Sequence, residues 1–174
     1  LRGSPILYYG DEKGFTGTGG DQLARQDFFP TLLPEWQNER RIGSEPIGKS
    51  SSFETINPLE KTISALNELV RSETALNSGT QQIRYAREGV FAYSRYAAGQ
   101  EFLVVANGAN DITSVKVPVS TVDSDWKVLL GQGTVNSAGT AVEVSLPELG
   151  WVVLKAEKKH LPKSTPKITI DPPV

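Results

Sequence analysis

The apolar positions of the chain change period twice, and each change marks an element. Pro5-Ile6-Leu7-Tyr8-Tyr9 is an unalternating apolar run that stops at Gly10-Asp11-Glu12, the pattern of a buried parallel strand ending at a polar rim. From Lys13 to Ser52 no period of 3.6 or 2 is sustained and glycines recur. The aromatic and apolar residues Phe28, Phe29, Leu32, Leu33 and Trp36 point to a packed loop there, not a disordered one. Asn57-Pro58 then starts a helix. Asn accepts orphan amides as N-cap, Pro has no amide to leave unpaired at the first helical position, and Glu60 suits the positive first turn. Leu59, Ile63, Leu66, Leu69 and Val70 form one apolar stripe, which predicts a helix running to Leu76–Gly79, with Gly79 in the left-handed conformation that closes helices.

Beyond Gly79 the period becomes strand-like: Gln82–Arg87, Val90–Tyr96, Phe102–Ala106, Ser114–Val119, Trp126–Leu130, Ala141–Leu146 and Trp151–Ala156. Glycine-bearing turns separate these runs. The spacing predicts an antiparallel sandwich or barrel of about seven or eight strands. The prolines Pro162, Pro166, Pro172 and Pro173 give residues 158–174 the composition of a semi-rigid linker, with Ile168-Thr169-Ile170 able to begin a further module.

Composition narrows the chemistry. At 174 residues with 38% apolar positions, the chain can build one or two cores. A net charge of −2 with no concentrated basic stretch argues against nucleic acid, and no apolar run approaches the roughly 20 residues that span a bilayer. Zero Cys removes disulfides, thiolate zinc sites and cysteine nucleophiles, and the single His160 removes a Ser-His or paired-His site within one copy. Carboxylate chemistry or binding remains. Zero Met and an opening on Leu1-Arg2-Gly3-Ser4-Pro5 make the sequence look cut from something longer.

The stretch Gly3-Ser4-Pro5-Ile6-Leu7-Tyr8-Tyr9-Gly10-Asp11-Glu12 matches, at every fixed position, the Gly-x-Pro-x-x-Tyr-Tyr-Gly-x-Glu of the last barrel strand in the alpha-amylase family of glycoside hydrolases. Gly20-Asp21-Gln22-Leu23-Ala24-Arg25 resembles that family's Gly-Asp-x-x-x-Arg loop, and the helix from Pro58 to Gly79 looks like the final barrel helix and its exit. The resemblance covers residues 1 to about 157. It implies an α+β architecture: the end of a (β/α)8 barrel over residues 1–78, an antiparallel β-sandwich (domain C) over 79–157, and a linker over 158–174.

It also implies a parent enzyme that cleaves or rearranges α-glucans with retention, using an Asp nucleophile, a Glu acid/base and a stabilising Asp from earlier barrel strands. None of those strands is in this chain, so no catalytic residue is assigned within it and it should be inactive alone. Asp11 and Glu12, adjacent in sequence, are expected to cap the rim through backbone hydrogen bonds. The resemblance places Asp21 and Arg25 against glucose units on the non-reducing side of the cleavage point, where an Asp acceptor beside an Arg fork suits sugar hydroxyls. The alternative is an ion pair that fixes the loop, and one pair can serve both roles. Trp36, on the irregular loop, is the tryptophan placed to line the cleft, while Trp126 and Trp151 sit in strand patterns and are expected in the core. Glu39-Arg40-Arg41 reads as a solvated loop surface. The partners implied are an α-glucan oligo- or polysaccharide and the remainder of the catalytic barrel, with no nucleic acid and no membrane. No cofactor is expected in this chain, with calcium bound by other parts of the parent. Polymeric substrates, the lack of Cys and the proline-rich tail place the parent outside the cell or at its surface. A non-catalytic β module that binds carbohydrate or protein is the competing reading, and it would need a line of exposed aromatics on one sandwich face.

Overall fold

Asn57 sets the start of the long helix as its side chain requires: Oδ1 accepts from the Leu59 amide at 2.9 Å, while Nδ2 donates to Ile42 O at 2.8 Å. The computed structural model describes residues 3, 5–17 and 19–159. It divides into two compact units, Leu1–Leu69 and Val70–Val174. Of the expected linker, residues 160–174 lie outside the described residues, His160 and Ile168–Ile170 among them.

In the first unit the run Pro5–Tyr8 has no ladder partner among the described residues, and Ile6 is 88% exposed. A buried parallel strand needs neighbouring strands, and the described residues supply none. A 3-10 turn, Asp11–Lys13, follows. The loop beyond it contains a single-turn helix α1 (Pro34–Asn38) and a 3-10 turn Ser52–Glu54, and leads into α2 (Pro58–Ser72). Lys13, though charged, is buried because its ammonium donates to Thr55 O at 3.0 Å and to Glu60 Oε2 at 2.7 Å.

The single helix expected to reach Gly79 is broken. Glu73 is extended (φ −116°, ψ 104°) and α3 (Thr74–Ser78) resumes after it. The second unit supplies the reason. Arg95 donates from Nε to Ala75 O at 3.1 Å and from Nη2 to Asn77 O at 3.2 Å, and Lys155 holds the Glu73 carboxylate at 2.7 Å. Arg95 thus satisfies backbone carbonyls of α3, while Lys155 holds the side chain of Glu73 at the break. Gly79 also departs from expectation, with φ −65° and ψ 162°. Its lack of a side chain serves close approach instead, since a Cβ would lie 2.3 Å from Tyr96 O and 2.4 Å from Ala75 O.

The rest of this unit is an antiparallel β-sandwich of eight strands: β1 (Thr80–Arg87), β2 (Val90–Ala97), β3 (Gln100–Asn107), β4 (Thr113–Pro118), β5 (Trp126–Gly131), β6 (Thr134–Ala138), β7 (Ala141–Leu146) and β8 (Trp151–Ala156). They form a five-stranded sheet in the order β1-β2-β3-β8-β5 and a three-stranded sheet β4-β7-β6. Two-residue turns at Glu88-Gly89 and Ala98-Gly99, all with positive φ, join the first three strands and fix their register. Alternate residues of both sheets, including Ala92, Leu103, Val105, Val117, Val142, Val144, Val152 and Leu154, meet in one core with Trp126. β6 was not legible in the sequence. Among its described side chains Val135 alone is packed against the core, too little to show a period.

Candidate functional site

The loop segment 20–25 is a tight turn, with the Ala24 amide donating to Gly20 O at 3.0 Å and the Arg25 amide to Gln22 O at 3.3 Å. That turn brings the Asp21 and Arg25 side chains together. Arg25 donates from Nη2 to Asp21 Oδ2 at 2.6 Å and from Nε to Oδ1 at 3.3 Å, a two-point pair. The Asp21 side chain is 77% exposed and that of Arg25 64%, so the pair faces water and contributes only about 0.2–1 kcal/mol to the loop. An incoming hydroxyl can therefore replace either half at small cost.

Trp36 lies on α1, whose first position is Pro34. Its indole N–H donates to Leu23 O at 2.8 Å, and the ring is half-buried. The structure thus brings all three expected site residues onto one patch, with the Asp21–Arg25 turn resting on the Trp36 edge through Leu23.

Asp11 and Glu12 are turned towards backbone amides. Asp11 Oδ2 accepts from Tyr8 N at 2.9 Å and Glu12 Oε2 from Gly10 N at 3.0 Å. Gly10 is required there by its φ of 94° and because a Cβ would lie 2.2 Å from the Phe15 ring. Around this turn runs a chain of rings: Tyr8 to Tyr9 at 4.7 Å, Tyr9 to Phe28 at 6.3 Å, and Phe28 to both Phe15 at 5.4 Å and Phe53 at 4.9 Å.

The Glu39-Arg40-Arg41 stretch departs from its expected solvated state. Arg40 is exposed, but Glu39 and Arg41 are buried beside Gln26 and Ser52. Gln26 donates its amide to Glu39 Oε2, and Arg41 Nη2 donates to Gln26 Oε1 at 3.2 Å and Ser52 Oγ at 2.9 Å. The guanidinium also lies 4.4 Å from the centre of the Phe15 ring. Burial lowers the Arg41 pKa from its usual value, while the Glu39 charge raises it. The sequence held one signal: Glu39 and Arg41, two apart in an extended segment, share a side. Gln26 and Ser52, far off along the chain, gave none.

On the sandwich, Trp126 is in the core as expected, whereas Trp151, also expected there, is only half-buried because it is out of phase with the core-facing Val152 and Leu154; Tyr93 is buried. These rings do not form the exposed line that a sandwich-borne sugar platform would need. Among the described residues no group of three or more His, Cys, Asp or Glu side chains is placed to hold a metal ion, and calcium enters no step derived for this chain. No helix among them is long and apolar enough to cross a membrane.

A two-sheet antiparallel sandwich, preceded by a helix and a glycine-rich loop bearing an exposed Asp–Arg pair, is the arrangement to compare with known proteins. No protein-family model matches the chain. It is 36% identical over 179 residues to an alpha-amylase of Streptomyces lividans, a match covering 99% of this chain and 20% of the relative. In structure it is similar to the alpha-amylase from H. orenii, with TM-score 0.61 and 21% identity over 89% of this chain and 33% of that one. It is also similar to AmyP, solved in complex with maltose, with TM-score 0.56 and 21% identity over 68% of this chain and 26% of that one. The chain belongs to the alpha-amylase family of glycoside hydrolases, and its elements fit the C-terminal part of such an enzyme. It spans about a fifth of the length of the curated relative it matches.

Proposed function

We propose that this chain is part of a retaining glycoside hydrolase or transglycosidase acting on α-glucans, to which it contributes a sugar-subsite loop and the accessory β-sandwich. The observation that carries the reading is the 36% identity to an alpha-amylase along 99% of the chain, loop and sandwich together. AmyP, solved with maltose, supports an α-glucan ligand.

In this reading Asp21 accepts a hydrogen bond from a glucose hydroxyl and Arg25 donates to a hydroxyl oxygen of the same or the next unit. Trp36 offers the exposed part of its ring to the apolar face of a pyranose. Retaining hydrolysis needs two carboxyl groups about 5–5.5 Å apart across the scissile bond. Asp11 and Glu12 are engaged by backbone amides, and Asp21 by Arg25. In this reading the nucleophile and the acid/base come from the rest of the parent enzyme, as does any calcium, and the chain alone is inactive. If the substrate is polymeric, and so too large to enter a cell, this reading puts the parent outside the cell or at its surface.

The test compares hydrolysis of soluble starch by the 174-residue chain and by the same chain expressed with its native upstream sequence. Activity only in the longer form supports the proposal. Clear activity from the chain alone overturns the placement of the catalytic carboxylates outside it.

A further inference from the structure

We propose that Gln26, Glu39, Arg41 and Ser52 form a buried clamp that sets the spacing between the Asp21–Arg25 pair and Trp36, and thereby the affinity of the site for an α-glucan chain. The inference rests on the sugar-site reading of those three residues.

The loop reaches the site by two arms. One carries Asp21 and Arg25 and continues directly into Gln26. The other carries Trp36 on α1 and continues, three residues on, into Glu39. Above the clamp the arms touch through the Trp36 indole and Leu23 O. Beneath the site they are joined by the Gln26 amide donating to Glu39 Oε2.

Both ends of the Gln26 side chain are used: Nε2 on Glu39 and Oε1 on Arg41 Nη2 at 3.2 Å. The amide therefore has one orientation, and it holds a carboxylate and a guanidinium at a fixed separation. Arg41 is itself fixed, by Ser52 Oγ at 2.9 Å and by the Phe15 ring. Ser52 in turn donates its backbone amide to Phe28 O at 2.8 Å, closing the clamp onto the segment that follows Gln26.

All four side chains are buried, so water does not compete for these bonds. The Asp21–Arg25 pair is the opposite case, exposed and individually weak. Its position relative to Trp36 is set by the frame below it. Displacing binding groups by about 1 Å is enough to cost much of what they contribute. These four are positioning residues and touch no substrate.

The test uses the enzyme expressed with its native upstream sequence, acting on maltoheptaose. Gln26→Met keeps the volume and removes both hydrogen bonds, while Glu39→Gln keeps a carbonyl to accept from Gln26. Asp21→Asn reports on the sugar site itself. The expected result is that D21N and Q26M each raise KM about tenfold with kcat within about threefold, while E39Q stays within about threefold of the parent KM. If D21N raises KM and Q26M shifts only the thermal midpoint, the clamp is structural and the proposal is overturned. If D21N leaves KM unchanged, the sugar-site reading has failed, a different failure. Should Q26M not fold, Ser52→Ala, which removes one acceptor of Arg41, replaces it; a KM unchanged in S52A overturns the proposal equally.

Discussion

Glu101 is fully buried, yet both of its carboxylate oxygens are saturated. Oε1 accepts from Arg84 Nη2 at 3.0 Å, Ser94 Oγ at 2.7 Å and Tyr96 O–H at 2.8 Å, and Oε2 from the amides of Ser120 at 3.1 Å and Thr121 at 2.6 Å. Arg84 also donates to Ser94 and Ser120, and burial lowers its pKa while the Glu101 charge opposes that shift. The network ties β1, β2 and β3 to the segment after β4. Removing one partner of a buried, hydrogen-bonded pair leaves the other uncompensated, at a cost of about 3–5 kcal/mol. Glu101→Ala is therefore expected to destabilise the sandwich by about that amount. Arg84→Ala in the same chain should recover part of the loss, because the stranded charge is gone. Urea unfolding followed by tryptophan fluorescence in a Trp36→Phe background, which leaves only the sandwich tryptophans, checks both. A cost under about 1 kcal/mol for E101A would show that water reaches Glu101 and that the pair is not a buried one.

At the scale of elements, what the sequence showed was local and what it hid was long-range. The start of α2 was legible because Asn57 caps a helix whose first residue is Pro58, a device confined to three neighbours. The alternating strands β2, β3, β7 and β8 were legible because one face of each meets the core. The break at Glu73 was not, since Lys155 and Arg95, which impose it, lie 82 and about 20 residues away. The buried state of Glu39 and Arg41 was hidden for the same reason: their partners Gln26 and Ser52 are 13 and 11 residues distant. Asp21 and Arg25, by contrast, are four residues apart on one turn, and both the pairing and its exposure follow from that spacing. Gly79 separates the two glycine roles experimentally. Its φ of −65° suits any residue, so Gly79→Ala carries no conformational strain, and only the approach of Tyr96 O and Ala75 O opposes it. The expected loss is about 1–3 kcal/mol, the cost of forcing a methyl into packed backbone. Gly48→Ala, with open space but φ +60°, serves as the control for strain alone. A neutral G79A in the same urea assay would mean that α3 can move off β2 freely.

Over the whole molecule the two units are stabilised by different means. Every buried residue with an apolar side chain among those described lies from Ala75 onward, whereas the buried residues of Leu1–Leu69, apart from Gly10 and Gly14, are polar: Lys13, Gln26, Glu39, Arg41, Ser52 and Asn57. The apolar side chains of the first unit largely face outward, with Ile6, Tyr8, Phe53 and Ile56 exposed and Leu32 95% exposed, and no residue of α2 is buried. Burial of apolar surface is the main favourable term in folding, and hydrogen bonds contribute little net stability each. The first unit should therefore open at a far lower free energy than the sandwich, as a separate cooperative step. Hydrogen exchange on the 174-residue chain is expected to show amides of β2, β3, β7 and β8 protected at least about 100-fold more than those of α2 and the 13–52 loop. Expression with the native upstream sequence should raise protection in residues 5–69 and leave the sandwich unchanged, because most of the exposed large apolar side chains among the described residues lie in the first unit, which buries none. Equal protection of both units in the isolated chain would show that the polar frame around Arg41 and Asn57 suffices to hold the loop. The exposed Ile6, Tyr8 and Phe53 would then be surface, and not the contact face of a larger barrel.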